Sequence, residues 1–212
     1  MPAIALTFDD GPGAVTPALL DVLRRHAARA TFDVLGERIA GREHVVRRIA
    51  GDGHEIGVHG WTHADHRHDV ERHAAGAART ADAVAAACGV RPRLFRPPFG
   101  LTSGTLEDAV AAVGLTTLLW DVDPRDFEAP GADAIRDRAL AALRPGSIVL
   151  LHDDRPELAP TAEAVDAVLA AVRRRGWSAV TASELLSYQG SPSRQSHASG
   201  PPRSSAHATG RT

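Results

Sequence analysis

The stretch AIALTFDDGP, residues 3–12, drives an apolar run into two adjacent carboxylates and then into a turn. Four further short apolar runs end in the same manner, on a residue able to bind a metal, move a proton or hold an oxyanion. They are Ile56 to Val58 ending on His59, Leu94 and Phe95 on Arg96, Leu118 to Trp120 on Asp121, and Ile148 to Leu151 on His152. In α/β barrels and open α/β sheets, sites are built on the loops that leave the carboxyl ends of the strands. One site assembled from most of the chain is therefore expected.

Working outward from that stretch, strand-like runs lie at 3–8, 30–35, 54–58, 94–96, 116–120, 147–151 and 177–180. Between them, apolar residues recur at helical spacing over 17–26, 44–52, 70–88, 106–113, 132–143 and 161–175. Seven strands alternating with helices predict an α/β fold with a parallel sheet, closed or nearly closed into a barrel. No internal repeat is evident. At 212 residues the chain fits a single domain around one core. From residue 188 to 212 the composition turns to Ser, Gly, Pro, Arg, His and Gln without apolar periodicity. Such a segment cannot bury enough apolar surface to offset its ordering entropy, so residues 1–187 are expected to form the domain and 188–212 a disordered tail. His197 and His207 in that tail are expected to be solvated.

Composition excludes several classes of function. The hydrophobic and charged fractions, 43% and 24%, are those of an ordinary globule. No apolar run approaches the ~20 residues a membrane span needs, so membrane insertion is not expected. Net charge is -2 and the arginines are interspersed with acids, which gives no basic stripe for nucleic acid. Cys88, the lone cysteine, cannot form an internal disulfide and reads as a small filler beside the helix-capping Gly89. Met1-Pro2 leads at once into the first strand with no room for a signal peptide, so the sequence as written reads as cytoplasmic.

The chemistry-bearing residues support one another. Asp9 and Asp10 can serve one site only if the chain curls sharply after the strand, and Gly11-Pro12 supplies a turn; an acidic turn capping a helix at Thr16-Pro17 is the competing reading. His59 and His63, spaced i and i+4, would share one face of a helical turn and could reach a common cation. With one carboxylate of the Asp9-Asp10 pair they would form an Asp-His-His set with open positions, as a catalytic zinc-type site requires. The nearby His66, His68 and His73 are expected on the exposed start of the long helix from Val70. Arg96-Pro97-Pro98-Phe99-Gly100 is a stiff loop that would hold Arg96 for bidentate contact with a carboxylate and turn the Phe99 amide into a site. Of the acids in the 120–127 loop, one or two should matter. His152 is a natural general acid near neutral pH, although a lone strand-end histidine is more often structural.

Taken together and in this order, TFDDGP, GHEIG followed by HxxxH, RPPFG and LLHD resemble the motifs of the polysaccharide deacetylases, the NodB homology domain of carbohydrate esterase family four. The resemblance runs over about residues 3–187. It implies a distorted (β/α) barrel with seven parallel strands and a metal-dependent hydrolase that removes acetyl groups, usually N-acetyl groups, from sugars. By the same resemblance Asp9 is the catalytic base, Asp10, His59 and His63 are metal ligands, and Arg96 pairs with the base. Phe99 supplies a backbone oxyanion donor, His152 is the catalytic acid and Asp126 orients it. Leu150 walls the acetyl pocket, with Phe127 and Trp61 beside the substrate. The implied metal is divalent, most often Zn2+ with Co2+ or Ni2+ as alternatives, and the implied partner is an acetylated sugar or glycan. Relatives of this kind are often secreted or attached to the cell wall.

Three residues depart from the family pattern: Gly60 stands where Ser or Thr is usual, Phe127 replaces a usual Trp, and Asp33 falls where an aromatic is more common. They bear on substrate and on the firmness of the turn presenting His59 and His63. An O-acetyl xylan esterase or a small-molecule amide hydrolase would use the same residues. A non-catalytic sugar-binding module is expected to have lost Asp9 or His152, and both are present.

Overall fold

A computed structural model describes residues 2–64 and 69–188. Seven strands form one parallel sheet: β1 (Ala3–Asp9), β2 (Thr31–Val34), β3 (Glu55–Val58), β4 (Leu94–Phe95), β5 (Thr116–Thr117), β6 (Ile148–His152) and β7 (Ser178–Val180). Helices α1 (Thr16–Arg25), α2 (Glu43–Gly51), α3 (Val70–Cys88), α4 (Gly104–Ala112), α5 (Ala132–Ala142), α6 (Ala159–Arg174) and α7 (Ala182–Tyr188) lie between and after them. The strand order is β5-β4-β3-β2-β1-β6, and β7 pairs with the first half of β1. After β5 the chain crosses to β6, where Val122 bridges Val149 and Val122 O accepts from Leu150 N–H. The sheet thereby curls into the expected distorted barrel.

β1 is buried along its whole length, as a parallel strand covered on both faces must be. Its even positions, Ile4, Leu6 and Phe8, pack outward into the main core with Leu19, Leu20 and Leu23 of α1. Its odd positions face the barrel interior, where Ala3 and Ala5 pack with Leu94, Leu118, Ile148 and Val180. Small residues at one end of the interior give way to Thr7 and Asp9 at the other, both buried. The same two-residue period places Val149 and Leu151 of β6 outward and leaves Ile148, Leu150 and His152 on the interior face. On the helices, Val165, Val168, Leu169 and Val172 of α6 form the buried stripe that packs on the sheet. The long α3 presents Ala74, Ala77, Ala81 and Val84, small enough for close approach, and ends on Gly89 at φ 77.

β4 and β5 are shorter than the sequence predicts. Pro97 and Pro98 bring no N–H to a ladder, which ends β4 at Phe95. β5 runs only to Thr117; Leu118 N–H still donates to Phe95 O, and the chain then crosses to β6, where the Asp121 and Val122 N–H groups donate to Ile148 O. His73 is a second correction: it is buried on the inner side of α3, with its ring at 5.5 Å from Phe95 in an edge contact. His66 and His68 fall outside the described residues, as does all of the tail beyond Tyr188. No helix among the described residues is long and apolar enough to cross a membrane.

Candidate active site

Asp9 ends β1, and Asp10 follows with φ 75, in the left-handed region. The curl that lets adjacent carboxylates serve one site therefore lies at Asp10 itself, ahead of Gly11-Pro12. Gly11 allows close packing there, since a Cβ on it would overlap the buried Asp153 carboxylate, which accepts a hydrogen bond from Thr16 Oγ1.

His59 and His63 do not sit on a helical turn. Gly60 between them has φ 95, and the segment bends rather than coils. The bend nonetheless brings the rings to 5.1 Å and points both Nε2 atoms at Asp10, at 3.5 Å from His59 and 3.7 Å from His63. Gly60 does not loosen this turn. Its carbonyl accepts from the Gly36 N–H at 3.1 Å and from Thr80 Oγ1 at 2.9 Å, and φ 95 is a conformation that favours glycine over the usual Ser or Thr.

The ligand atoms of Asp10, His59 and His63 lie within 4.8 Å of one another. His59 Nδ1 is 2.7 Å from the Arg96 carbonyl; donation to that oxygen fixes the tautomer and leaves Nε2 with its lone pair toward Asp10. Burial holds the His59 imidazole below its usual pKa even though Asp9 and Asp10 pull the other way, so the ring is in the neutral form that binds metal. Asp10 Oδ1 is buried without a hydrogen-bond partner. An orphaned carboxylate oxygen facing two imidazole nitrogens fits a divalent cation, and His63, one-third exposed, leaves the centre open to solvent.

Arg96 leaves β4 fully buried. Its Nη1 donates to Asp9 Oδ1 at 2.8 Å and to Thr7 Oγ1 at 2.6 Å, and lies 3.2 Å from Asp33 Oδ2. The expected bidentate fork is absent: one nitrogen carries the carboxylate contacts, while Nε and Nη2 reach the carbonyls of Leu118 and Leu119 at 3.4 Å each. Burial alone would raise the Asp9 carboxyl, but the charge and hydrogen bond of Arg96, with the charge of His152, outweigh it and hold Asp9 below the usual range.

On the other side of Asp9, and directly opposite it in the β1–β6 ladder, stands His152. Its Nδ1 is 2.8 Å from Asp126 Oδ1, and its backbone N–H donates to Asp126 Oδ2 at 2.8 Å. Thr161 Oγ1 also donates to Asp126 Oδ2, at 3.0 Å, so the fully buried Asp126 is fixed from three directions. Burial opposes charge on His152, yet the Asp126 hydrogen bond and the charges of Asp126, Asp9 and Asp10 lift its pKa to about 9. Asp121 does not join the site; it accepts from Ile148 N–H and pairs with Arg144.

Of the remaining expected residues, Phe99 and Phe127 pack on the two histidine sides of this centre, whereas Trp61 packs against α3. Phe99 has φ 61, is 55% exposed, and packs edge-on to His63 at 4.4 Å. Phe127 is exposed on the opposite side at 5.6 Å from His152, held by Arg155 donating to its carbonyl. Leu150 is buried on the interior face two residues before His152. Trp61 lies under Arg79, 3.5 Å from the ring centroid, and lines a cavity of about 290 Å³ with Thr62, Arg72, His73 and Arg79. Sequence reasoning gave no role to Thr7, although it opens TFDDGP, or to Thr161, which no motif marks; they lie in hydrogen-bond contact with Arg96 and Asp126.

Residues 1–118 match the family model described as polysaccharide deacetylase. The chain belongs to that family. A chitooligosaccharide deacetylase of Sinorhizobium fredii is 45% identical over 82% of this chain and 83% of its own length. The solved peptidoglycan deacetylase PdaC of Bacillus subtilis superposes with a TM-score of 0.82 at 33% identity, covering 89% of this chain and 91% of that one. A family 4 acetyl xylan esterase of Clostridium thermocellum, solved with a cobalt ion, gives 0.83 at 34% identity over 90% and 93%. This polysaccharide deacetylase is thus a metal-dependent carbohydrate deacetylase by family, with an Asp-His-His set in the place where a cation fits.

Proposed function

We propose that the protein hydrolyses N-acetyl groups of an N-acetylglucosamine-containing glycan. The observation that carries this reading is the row in which a carboxylate held ionised, Asp9, faces an imidazole held protonated, His152, beside the Asp10, His59 and His63 cluster. Asp10, His59 and His63 would hold the cation, Zn2+ for preference, since two imidazoles and one carboxylate suit it and Co2+ alike. When bound, such an ion supplies Lewis acidity, lowering the pKa of a water to roughly 7 and drawing charge from the acetyl carbonyl.

The chain's own groups do the rest. Asp9 Oδ1 is tied to Arg96, so Oδ2, on the His59 side at 3.8 Å, takes the proton of the attacking water. The Phe99 amide, on the rim beside His63, donates to the oxyanion. His152 gives its proton to the departing nitrogen, because an amine leaves poorly unless protonated. Phe127 and Leu150 flank that acid, suited to a sugar face and to the acetyl methyl. The relatives named for chitooligosaccharide and peptidoglycan support an N-acetylated glycan as substrate.

The test is acetate release from the zinc-loaded protein on chitin oligomers, peptidoglycan, acetylated xylan and free N-acetylglucosamine. Turnover of an N-acetylated glycan at least about tenfold above xylan is expected, given the protonated acid. Faster release from xylan would replace the amidase reading with an esterase on the same residues.

A further inference from the structure

We propose that Asp33 is a positioning residue of this hydrolytic centre, its carboxyl fixing the Arg96 guanidinium against Asp9; the inference rests on Asp9 as the base. As a departure from the family pattern Asp33 was expected to bear on substrate, but the structure puts it in the barrel interior, fully buried. In the ladders, Asp33 lies opposite Asp9 on one side and opposite Gly57 on the other. Residues opposite one another in a parallel ladder share a face, so His152, Asp9, Asp33 and Gly57 form one row on the interior side.

Gly57 makes the arrangement possible: a Cβ there would overlap Asp33 Oδ1. The carboxyl occupies the notch left by the missing side chain and presents Oδ2 to Arg96 Nη1 at 3.2 Å. The two hydrogens of Nη1 are taken by Thr7 and Asp9, and neither Asp33 oxygen has a formed hydrogen bond, so the contact is electrostatic. The other polar contacts of the buried Arg96, from Nε and Nη2, are long, and the Trp120 ring centroid is 5.5 Å from its Cζ. The cluster at Nη1 therefore sets where the guanidinium sits. Burial pushes Asp33 well above the usual carboxylate range, and Asp9 adds to this against the pull of Arg96. Asp33 Oδ2 and Asp9 Oδ1 thus meet the same guanidinium nitrogen, and the notch at Gly57 keeps the Asp33 carboxyl seated there.

A polar residue of the same shape should then suffice, since it fills the same notch and keeps an oxygen toward Arg96, and an apolar one should not. Asp33→Asn, Asp33→Leu and Asp33→Ala are compared in the zinc-loaded enzyme for kcat, KM, bound zinc and melting temperature, with Asp9→Asn in parallel. Asp33→Asn is expected within about threefold of wild type. Asp33→Leu and Asp33→Ala should lose about tenfold to a hundredfold in kcat, with KM and zinc content held within about twofold. If Asp33→Leu does not fold, Asp33→Ala carries the comparison. The proposal is overturned if both apolar variants keep kcat within about threefold, if Asp33→Asn falls as far as they do, or if the loss follows the zinc. Retained turnover in Asp9→Asn would instead overturn the assignment of the base.

Discussion

At the scale of single residues, the acid and base differ from the metal-binding residues in what they should do when removed. Asp9→Asn and His152→Asn act on protons, so each should keep the bound metal and lose ~100-fold to ~10,000-fold in kcat. His63→Ala removes one of three ligand side chains and should lose metal and turnover together, read by metal analysis beside acetate release. The pH profile has a definite sign. His152 works as the protonated form, so kcat should fall as pH rises through its pKa, lifted to about 9 before a bound cation opposes it. Asp126→Asn removes the carboxylate that supports the charge, and the alkaline limb should move at least about one unit lower. An unmoved limb would show that Asp126 does not tune the acid. Asp9, Arg96 and His152 were legible because each closes an apolar run. Asp126 was legible only through family resemblance, as no local pattern separates it from Asp121 and Asp123.

At the scale of elements, the period-two alternation of the strands sorts the chemistry. Odd residues of β1 and even residues of β6 reach the interior, which puts Asp9 and His152 on one face before any loop is considered. The number of strands and their alternation with helices are legible in the sequence; their order in the sheet is not. Nor is the register, because pairing of Asp33 with Asp9 and Gly57 joins residues 24 apart on three strands, and no local signal marks it. The same blindness applies to the His59–His63 turn, where spacing suggested a helix and Gly60 at φ 95 makes a bend. The register has a testable consequence at Gly57. Gly57→Ala should destabilise by about 1–3 kcal/mol, as overpacking of a tight interior does, and push Asp33 off Arg96. In an Asp33→Ala background the clash is gone and the penalty should shrink by at least about half. Equal penalties in both backgrounds, measured by denaturant unfolding, would place the strain elsewhere.

At the scale of the whole molecule, the site ties distant parts of the chain together. Asp10 follows the first strand, His59 and His63 follow the third, and the acid ends the sixth, so a cation bound among the first three cross-links β1 to β3. Without a cation, Asp10 keeps a buried oxygen with no partner, close to the Asp9 carboxylate. Metal should therefore stabilise the fold as well as enable turnover. A ligand that binds only the native state adds about 2.7 kcal/mol at a hundred times its Kd. For a domain of this size each kcal/mol moves Tm by about 2–4 °C, so zinc at that excess should raise Tm by roughly 5–10 °C. Chelation should lower Tm and abolish acetate release, and zinc or cobalt should restore both. In His63→Ala the rise should be largely lost at the same zinc concentration, whereas in His152→Asn it should persist. A rise of equal size in His63→Ala would mean that zinc binds elsewhere on the protein, and the Asp10, His59 and His63 cluster would lose its assignment as the metal centre.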